Sequence, residues 1–462
     1  MKTSTKANLA LAAFLTVCLV PFVGMLLLPE GEAAANQALS PAPQVFLEDG
    51  RFNTAVLDEV TDYVADHFAF RQEMITAGAV LDAAVFHVSA EEDVVLGRED
   101  WLFYRETLAG YLRTDPLREQ QLFGAARTLA LLQEYAESRG AAFYVTVAPN
   151  KASLYPEYLP YVGTPLAGED DIDRLVPYLE AQGVPYIDLF APFRETEEVL
   201  YYRTDSHWNT RGAALAHDAI IAALNKTDQA PFFGGTYHPG EPWLGDLYEM
   251  LYPTGTQTEA DAEFDRAFSF SYVRPIRSPE DHLIQTENPD RSGSLLMFRD
   301  SFGNLLHSFL ADAYGEAAFS RAMPYTMSLL DQTGADTVVI EIVERNLDWL
   351  ATEAPIFPAP ERTLNGVPPQ GEAAARITAA DDGLLEGYVR MEGRLTGPVD
   401  QESPIYVQLG DALYEACPAG AAGEGTPFTL YVPAEGAQGA AEILYQSGGQ
   451  LYAAGADLAQ AN

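Results

Sequence analysis

Cysteine, histidine and basic residues are all scarce in this chain. Among its 462 residues are two cysteines and seven histidines, and 27 lysines and arginines stand against 67 aspartates and glutamates, for a net charge of −40. Cys18 lies inside an apolar run and Cys417 lies near the C-terminus, so the sequence disfavours a disulfide framework, thiol catalysis and a cysteine zinc site. It also disfavours a nucleic-acid partner, because phosphate contacts need basic residues in excess.

Two nucleotide-binding signatures are missing as well. The chain contains neither a G-x-G-x-x-G fingerprint nor a P-loop, so nucleotide chemistry lacks support. His217, His238, His282 and His307 show no metal-ligand spacing. We therefore expect neither a metal nor a cofactor.

An uncharged apolar run does stand at the N-terminus. "NLALAAFLTVCLVPFVGMLLLP" ends at Pro29 after Lys2 and Lys6, and a run of about 20 residues matches the thickness of a bilayer core. Residues 1–29 are predicted to anchor the chain in the cell membrane by a single pass, with the bulk outside. Small residues follow in "GEAAANQA", so cleavage of a signal peptide and secretion stay open. Residues 30–50 are interpreted as a linker.

Helical and extended patterns alternate through residues 51–355. Two amphipathic stretches and a short aromatic strand, "DWLFYRE", come first. Strand–helix alternation follows and predicts an α/β domain with a parallel sheet and helices on both faces, interrupted by an irregular insertion at about 230–290. The predicted helices and strands are "EQQLFGAARTLALLQEYAESRG", "AAFYVTVAP", "DIDRLVPYLEAQG", "VPYIDL", "NTRGAALAHDAIIAALNK" (capped by Asn209 or Thr210), "GSLLMFR", "FGNLLHSFLADAYG" and "ADTVVIEIV".

Residues 370–462 show a different sequence pattern. Short strand-like segments are separated by turns at roughly 10-residue spacing, which predicts a small antiparallel β-sandwich. Its tyrosines either present aromatic faces to a sugar or fill the core and edges of the sandwich; they are Tyr406, Tyr414, Tyr431, Tyr445 and Tyr452.

A serine follows one of the predicted buried strands. In "LLMFRDSFGNLL", Ser301 stands at the turn between strand and helix. A hydroxyl there can be exposed over the carboxyl edge of the sheet, next to helix amides that suit a developing oxyanion. The alternative is that Asp300 or Ser301 only caps a helix that starts near Phe302.

An acid and an imidazole stand two positions apart in "YYRTDSHWNT". In an extended segment Asp205 and His207 would point the same way, so that the carboxylate orients the ring and leaves its other nitrogen free as a base. Trp208 is either a core residue or a platform for substrate. With Ser301 elsewhere, the pair would supply the nucleophile, the base and the orienting acid of a triad.

Seven short blocks, in order, resemble the DHHW family and the related alginate O-acetyltransferase proteins, whose catalytic domain is SGNH-hydrolase-like. The resemblance covers roughly residues 36–352 and rests on "NQALSPAP", "DHFAFR", "GREDWLFY", "VAPNKASLYPEYLP", "YYRTDSHWNTRGAALA", "FRDSFGNLL" and "DTVVIEIVERNL". It implies an acyl-transfer site on a permuted flavodoxin-like sheet, with Asp205, His207 and Ser301 as the triad. It does not extend to the C-terminal module.

Two departures from the family pattern bear on this site. Ser206 replaces the histidine that gives the DHHW family its name, at a middle position expected to point away from the site. Arg299 stands where an ordinary SGNH motif has glycine.

The family's Pro-Asp/Asn-Lys turn corresponds to Pro149, Asn150 and Lys151, where Asn150 either donates to the oxyanion or only forms the turn. Candidate oxyanion or substrate contacts are therefore Asn150, Asn304, Lys151, Arg299 and Trp208.

The resemblance implies acetyl transfer to hydroxyls of a cell-surface polysaccharide, beside a membrane-bound O-acyltransferase that exports the acetyl group. An acetyl esterase acting on surface glycans is the nearest enzymatic alternative. A protein that keeps the fold and only binds or assembles polysaccharide is the alternative without catalysis. The sequence names neither the polymer nor the acyl donor.

Overall fold

The structure, a computed structural model, describes residues 2–27, 39–47, 49–226, 228–364, 366–421, 423–437 and 439–460. Its α-helices are α1 Lys2–Leu27, α2 Val56–His67, α3 Arg71–Leu81, α4 Thr107–Leu112, α5 Glu119–Ser138, α6 Lys151–Leu154, α7 Asp171–Gln182, α8 Phe190–Glu195, α9 Thr210–Ala223, α10 Asp246–Leu251, α11 Gly303–Ala311, α12 Ser328–Thr333 and α13 Trp349–Thr352.

The β-strands of the described residues fall into a central sheet, a C-terminal sheet and two two-stranded sheets. They are β1 Val94–Leu96, β2 Leu102–Tyr104, β3 Ala142–Ala148, β4 Tyr186–Ile187, β5 Tyr237–Pro239, β6 Ala262–Phe264, β7 Ser271–Tyr272, β8 Leu283–Glu287, β9 Ser294–Phe298, β10 Glu316–Ser320, β11 Thr337–Val343, β12 Glu361–Arg362, β13 Ala374–Ala380, β14 Tyr388–Thr396, β15 Ile405–Leu409, β16 Ala412–Ala416, β17 Thr426–Pro433, β18 Ala440–Ser447 and β19 Gln450–Gln460. The two-stranded sheets are β1-β2 and β5-β6.

The N-terminal helix has the composition of a membrane span. Within α1, residues Ala7–Met25 have a mean hydropathy of 2.1 and are long enough to cross a bilayer. The predicted end of the anchor at Pro29 and the first part of the predicted linker lie outside the described residues. The helices α2 and α3 form where the sequence predicts them, and one π-helical turn, Asp82–Phe86, prolongs α3.

The central sheet has seven strands in the order β4-β3-β11-β9-β10-β8-β7. The first five are parallel, as predicted, and the α/β fold class is confirmed. The all-parallel prediction is wrong at one edge, where β8 runs antiparallel to β10 and β7 antiparallel to β8. In β8, buried Ile284 and Thr286 alternate with more exposed neighbours, which is typical of an antiparallel edge strand rather than of a fully buried one.

Helices cover both faces of this sheet because side chains along a strand alternate between faces. On one face α5 and α7 pack against Phe143, Val145 and Ile340. On the other, α9 and α11 pack against Met297 and Val339. All the parallel strands therefore end at one shared edge, held rigidly between two helical layers.

The C-terminal strands form one curled, eight-stranded sheet in the order β12-β16-β15-β18-β19-β13-β14-β17. The predicted small antiparallel β-sandwich is thus a curled sheet in which one pair of strands, β13 and β19, is parallel. Strand β19 spans eleven residues, and it pairs antiparallel with β18 by its first part and parallel with β13 by its last. One long strand thus joins what would otherwise be two sheets. A bridge between Cys417 and Thr429 brings the region after β16 beside β17, so the sheet curls back on itself.

Candidate active site

Ser301 lies just beyond the carboxyl end of the buried strand β9. The Asp300 carboxylate shapes the turn, because Oδ1 accepts from Phe302 N at 2.9 Å and Oδ2 accepts from Val343 N at 2.6 Å. Asp300 thus bonds the turn and the neighbouring strand β11, while the Ser301 hydroxyl is left for another partner. The residue is partly exposed, so its hydroxyl is not sealed in the core.

Asp205 and His207 lie in a bend rather than in an extended segment. Asp205 Oδ1 accepts from the backbone N–H of His207 at 2.8 Å and lies 2.7 Å from its Nδ1. An aspartate that bonds the backbone two residues on forms a compact turn, and here the same oxygen also orients the ring. The two side chains meet as expected, but the turn brings them together and not strand geometry.

His207 connects this bend to the serine. Its Nε2 lies 2.8 Å from Ser301 Oγ, although the two residues are 94 positions apart in the chain. With Nδ1 held by the carboxylate, Nε2 is free to accept the hydroxyl proton. The structure therefore brings Asp205, His207 and Ser301 into one continuous hydrogen-bonded chain.

Charge around the imidazole favours its protonated form. Burial alone lowers the pKa of His207, but the charge and hydrogen bond of Asp205, with a further contribution from Asp246, outweigh it and leave this pKa raised. Burial raises the pKa of Asp205, whereas the His207 charge and hydrogen bonds to His207 and Trp243 outweigh burial and lower it. Such a pair stabilises the imidazolium that forms when a hydroxyl is deprotonated.

Lys151 stabilises the bend by hydrogen bonds to its backbone. Its buried ammonium group donates to the carbonyl oxygens of Tyr202, Arg203 and Asp205 at 3.2, 3.0 and 2.5 Å. Burial lowers the pKa of Lys151 to about 8. Because three carbonyls take its three donors, this candidate substrate contact lies beneath the bend and acts on its backbone.

The irregular insertion supplies residues that the sequence analysis missed. Trp243 Nε1 and the backbone N–H of Asp246 both donate to Asp205 Oδ2, at 2.8 and 3.0 Å. Both Asp205 oxygens are thereby fixed. Gly245 permits this approach, since a β-carbon there would collide with the carbonyl group of Thr204. No hydrophobic period marks this insertion; its only sequence signal is the compact group Trp243, Gly245 and Asp246.

Ser206 does not point away from the site, contrary to expectation. Its Oγ donates to Asp246 Oδ2 at 2.5 Å and lies 3.1 Å from His207 Nδ1. Asp246 Oδ2 itself lies 3.5 Å from that nitrogen. The bend turns the middle residue toward its neighbours, whereas an extended segment would have turned it to the opposite side. A second carboxylate therefore stands beside the imidazole.

Three other candidates pack around the serine turn. Trp208 is fully buried and its indole N–H donates to Phe302 O at 3.1 Å, so its ring supports the site from inside the core. Arg299 Nη1 donates to Asn304 Oδ1 at 2.6 Å, and Nη2 donates to Pro279 O at 2.5 Å. The Arg299 stem lies where a β-carbon on Gly303 would have to stand. Arg299 thus ties the turn to the preceding loop.

Asn150 follows strand β3 at the same sheet edge. Its backbone N–H donates to Glu344 Oε2 at 2.8 Å, and the residue is almost fully buried. Its Oδ1 is buried and has no hydrogen-bond partner among the described residues. Burial, opposed by hydrogen bonds from Asn150 and Ser153, raises the pKa of Glu344 to about 7. The backbone of Asn150 is therefore bonded to Glu344, while its side-chain oxygen is left without a partner among the described residues.

Arg345 places a positive charge near His207 and the serine turn. The Arg345 guanidinium is 5.6 Å from the Phe302 ring centroid and 5.4 Å from that of Tyr104, and its charge acts to lower the pKa of His207. None of the ion pairs among the described residues involves Arg345. The chain carries a net charge of −40, and Arg345 places a positive charge near His207 within this acidic protein.

Three side chains of the site are of types that bind metal ions. Ligand atoms of Asp205, His207 and Asp246 lie within 4.8 Å of one another. Both Asp205 oxygens and His207 Nδ1 are, however, already engaged in the hydrogen bonds described above. A metal ion there would have to break the Asp205–His207 contact, so this donor set suits proton transfer better than coordination.

Part of the chain matches a known family of proteins. Residues 94–290 match the family described as "SGNH hydrolase-like domain, acetyltransferase AlgX". The family match and the curated relatives confirm the resemblance drawn from the sequence blocks. The matched range includes Asp205, His207 and Asp246 and ends before Ser301.

The chain is similar to several curated proteins. It is 25% identical over 222 residues to the probable alginate O-acetylase AlgJ of Pseudomonas putida, covering 46% of this chain and 55% of that protein. It is 29% identical over 152 residues to the Pseudomonas aeruginosa protein of the same name, covering 32% and 37%. This chain thus spans about half the length, or less, of the curated relatives it matches.

Solved structures show similarity at lower identity. A DHHW family protein from Eubacterium siraeum is 19% identical with a TM-score of 0.39, covering 48% of this chain and 85% of that one. The O-acetyltransferase domain of Pseudomonas putida AlgJ is 21% identical with a TM-score of 0.37, covering 55% and 92%.

Proposed function

We propose that this chain is an O-acyltransferase that moves an acetyl group onto polysaccharide hydroxyls, with Ser301 as nucleophile, His207 as general base and acid, and Asp205 as the orienting acid. One observation carries the proposal. The contacts from Asp205 Oδ1 to His207 Nδ1 and from His207 Nε2 to Ser301 Oγ measure 2.7 and 2.8 Å. Distances of this length are those that proton transfer requires.

The proposed reaction has two acyl transfers. Ser301 Oγ attacks the carbonyl carbon of an acetyl donor while His207 Nε2 takes the hydroxyl proton, and the leaving group departs with that proton. A sugar hydroxyl then attacks the acetyl-serine ester. His207 takes its proton and returns it to Ser301 Oγ as the ester breaks. The acetyl group ends on the sugar and the enzyme is restored.

The negative charge of each tetrahedral intermediate needs hydrogen-bond donors. We assign this role to the backbone N–H of Ser301 and to the side-chain amide of Asn150, which stands at the same sheet edge. Two facts support the choice. The Ser301 N–H has no partner among the described residues, and the side-chain NH2 group of Asn150, which is the donor of that amide, has none there either. Asn304 is the third candidate, since its Oδ1 is held by Arg299 at 2.6 Å and its amide nitrogen is left to donate.

The proposed acceptor is an acidic surface polysaccharide. Relatives carry the name alginate O-acetylase, and Arg345 offers an unpaired cation beside the triad, which suits a carboxylate on the acceptor. A membrane-bound acyl-exporting O-acyltransferase is the proposed source of the acetyl group. The proposed arrangement is an anchor at residues 1–29, a linker at 30–50, the catalytic domain at 51–355 and an accessory module at 370–462, with the bulk of the chain extracytoplasmic.

The test compares wild type with Ser301→Ala on p-nitrophenyl acetate, with and without an alginate oligosaccharide. Ser308→Ala is a matched control, because Ser308 lies on the helix α11 that follows the turn and, among the described residues, its hydroxyl contacts His307 alone, at 3.4 Å. Wild type and Ser308→Ala should release nitrophenol, and Ser301→Ala should be at least about 10³-fold slower. Mass spectrometry should find acetylated oligosaccharide only with the active forms.

The outcomes separate the alternatives. Nitrophenol release that depends on Ser301 but never acetylates the oligosaccharide would establish the esterase instead. If wild type and Ser301→Ala are equally inert and the oligosaccharide still binds, the protein is a binding or assembly factor that keeps the fold.

A further inference from the structure

Helix α3 exposes an apolar ridge to solvent. Met74, Gly78 and Leu81 follow one another at the spacing that places residues on one face of α3, and Val85 of the π-helical turn extends this row; Met74, Leu81 and Val85 are 42%, 57% and 56% exposed. A surface helix ordinarily turns such a stripe toward the core. Here the stripe faces outward.

The opposite side of α3 makes the contact with the domain. Ala79 is the one buried residue of this helix, and it packs in a small cluster with Val94, Leu102, Leu247 and Leu251. The helix α3 therefore contacts the domain through the face that carries Ala79. Beyond the ridge, Phe86 and Val88 continue the exposed apolar surface at 63% and 57%. Contiguous apolar surface of this kind marks an interaction site.

The corner before α3 touches the candidate membrane helix. The backbone N–H of Ala69 donates to Pro21 O at 3.2 Å, and Pro21 is buried while the apolar span around it is almost wholly exposed. Pro21 stands four residues before Met25, where the span ends. At about 1.5 Å per residue the contact lies roughly 6 Å below that end, which is the depth of the boundary between headgroups and acyl chains.

We propose that the exposed ridge of α3 lies in the interface of the same bilayer that α1 crosses, so that the domain is held on the membrane by a second, in-plane contact. The Ala69–Pro21 contact places the start of α3 at this level, and the ridge carries no charged side chain. Zwitterionic lipid is the expected partner, because a protein with a net charge of −40 is repelled by anionic headgroups. The inference rests on α1 spanning a membrane and is independent of the reaction at Ser301.

The experiment uses the full chain in phosphatidylcholine vesicles and reads the depth of a fluorescent label. Val85→Cys and, as the control, Val367→Cys are made with Cys18→Ser and labelled with an environment-sensitive dye. Val367 is an apolar residue that is 92% exposed, in the segment between the central sheet and the C-terminal strands β13–β19. Cys417 is buried with a pKa raised to about 12, so it should resist labelling.

The label at position 85 should shift to the blue, and lipids with a quencher near the headgroup should quench it at least about threefold more than the label at position 367. Vesicle flotation reports separately whether α1 anchors the chain. If the protein floats but both labels are quenched equally, the ridge does not meet lipid and the proposal is overturned. Energy transfer between labels at position 85 that persists in detergent would instead show that a second copy covers the ridge, which also overturns it.

Discussion

The two β-sheets bury different kinds of side chain. At the carboxyl edge of the central sheet Asn150, Lys151, Asp205 and Glu341 are all at least 97% buried. In the C-terminal sheet the buried side chains are mainly aliphatic and aromatic, as with Val407, Phe428 and Tyr445, and Tyr414 and Tyr431 are buried with them. The first region therefore depends on hydrogen bonds between distant segments, whereas the second depends on apolar packing.

The difference in buried polar and charged side chains indicates which of the two sheets is expected to carry a catalytic site. Buried charge is tolerated only where partners compensate it, and such places are often functional. The tyrosines of the C-terminal module, once candidates for sugar contacts, divide accordingly: Tyr414, Tyr431 and Tyr445 are interior, while Tyr406 and Tyr452 are partly exposed. The proposed catalysis is therefore expected at the sheet edge and the larger effects on stability in the module, and four changes test this division.

The largest effect is expected for Asp205→Asn. An amide keeps the shape but cannot hold the ring as the carboxylate does, and analogous changes in serine hydrolases lower kcat by about 10⁴-fold. Ester turnover measures this loss. Because Asp205 also accepts from Trp243 and Asp246, circular dichroism must show that the fold persists. A loss smaller than tenfold in a folded variant would contradict a triad.

The next largest is Glu415→Gln. Glu415 is buried and its two oxygens bind Arg127 and Arg362, each with a shortest contact of 2.6 or 2.7 Å, across the junction of the central and C-terminal sheets. Removing one charge from this buried group should cost about 3 kcal/mol in free energy of unfolding. Urea denaturation measures the cost, with exposed Glu435→Gln as the control. Activity per folded molecule should not change; a selective loss of activity would link the module to catalysis.

A smaller effect, visible in the pH profile, is expected for Asp246→Asn. His207 must be neutral to accept the Ser301 proton, so activity falls as pH drops through the raised pKa of His207. Removing the negative charge 3.5 Å from Nδ1 lowers that pKa. The acid limb should move about one pH unit lower, the size expected for a charge at this distance under water-like screening. An unmoved limb would leave Asp246 with a purely structural role.

The smallest effect is expected for Tyr445→Phe. The Tyr445 hydroxyl accepts from Ala373 N at 2.9 Å inside the C-terminal sheet, so its loss should cost about 1 kcal/mol in stability. Tyr406→Phe, at a partly exposed position, is the control. Neither change should affect ester turnover. Weaker polysaccharide binding by Tyr445→Phe at unchanged stability would conflict with its buried position.

Much of the fold could be predicted from pattern. Helix α5 and strand β11 form where a 3.6-residue period and an unbroken apolar run indicate them, and Gly183 ends α7 with a positive φ of 72°. Strand β10 was not predicted, because "EAAFS" is short and carries no β-branched residue. The edge strand β8 was not predicted either, because its five residues alternate between buried and more exposed and form neither a 3.6-residue period nor an unbroken apolar run.

The candidate site divides in the same way. The sequence by itself determined which residue types are available, since one serine after a buried strand and one Asp-x-His group suffice for a relay. It also determined the apolar N-terminal helix and the alternation that builds a sheet with a single carboxyl edge. These features depend on local spacing, which the order of residues records directly.

Only the tertiary structure decided how the relay is held. Lys151 reaches under the bend to bond Tyr202, Arg203 and Asp205, and Trp243 and Asp246 return from an aperiodic insertion to fix the second Asp205 oxygen. Such contacts join segments tens of residues apart through single hydrogen bonds. They leave no period or spacing in the sequence, because their geometry exists only after the chain has folded.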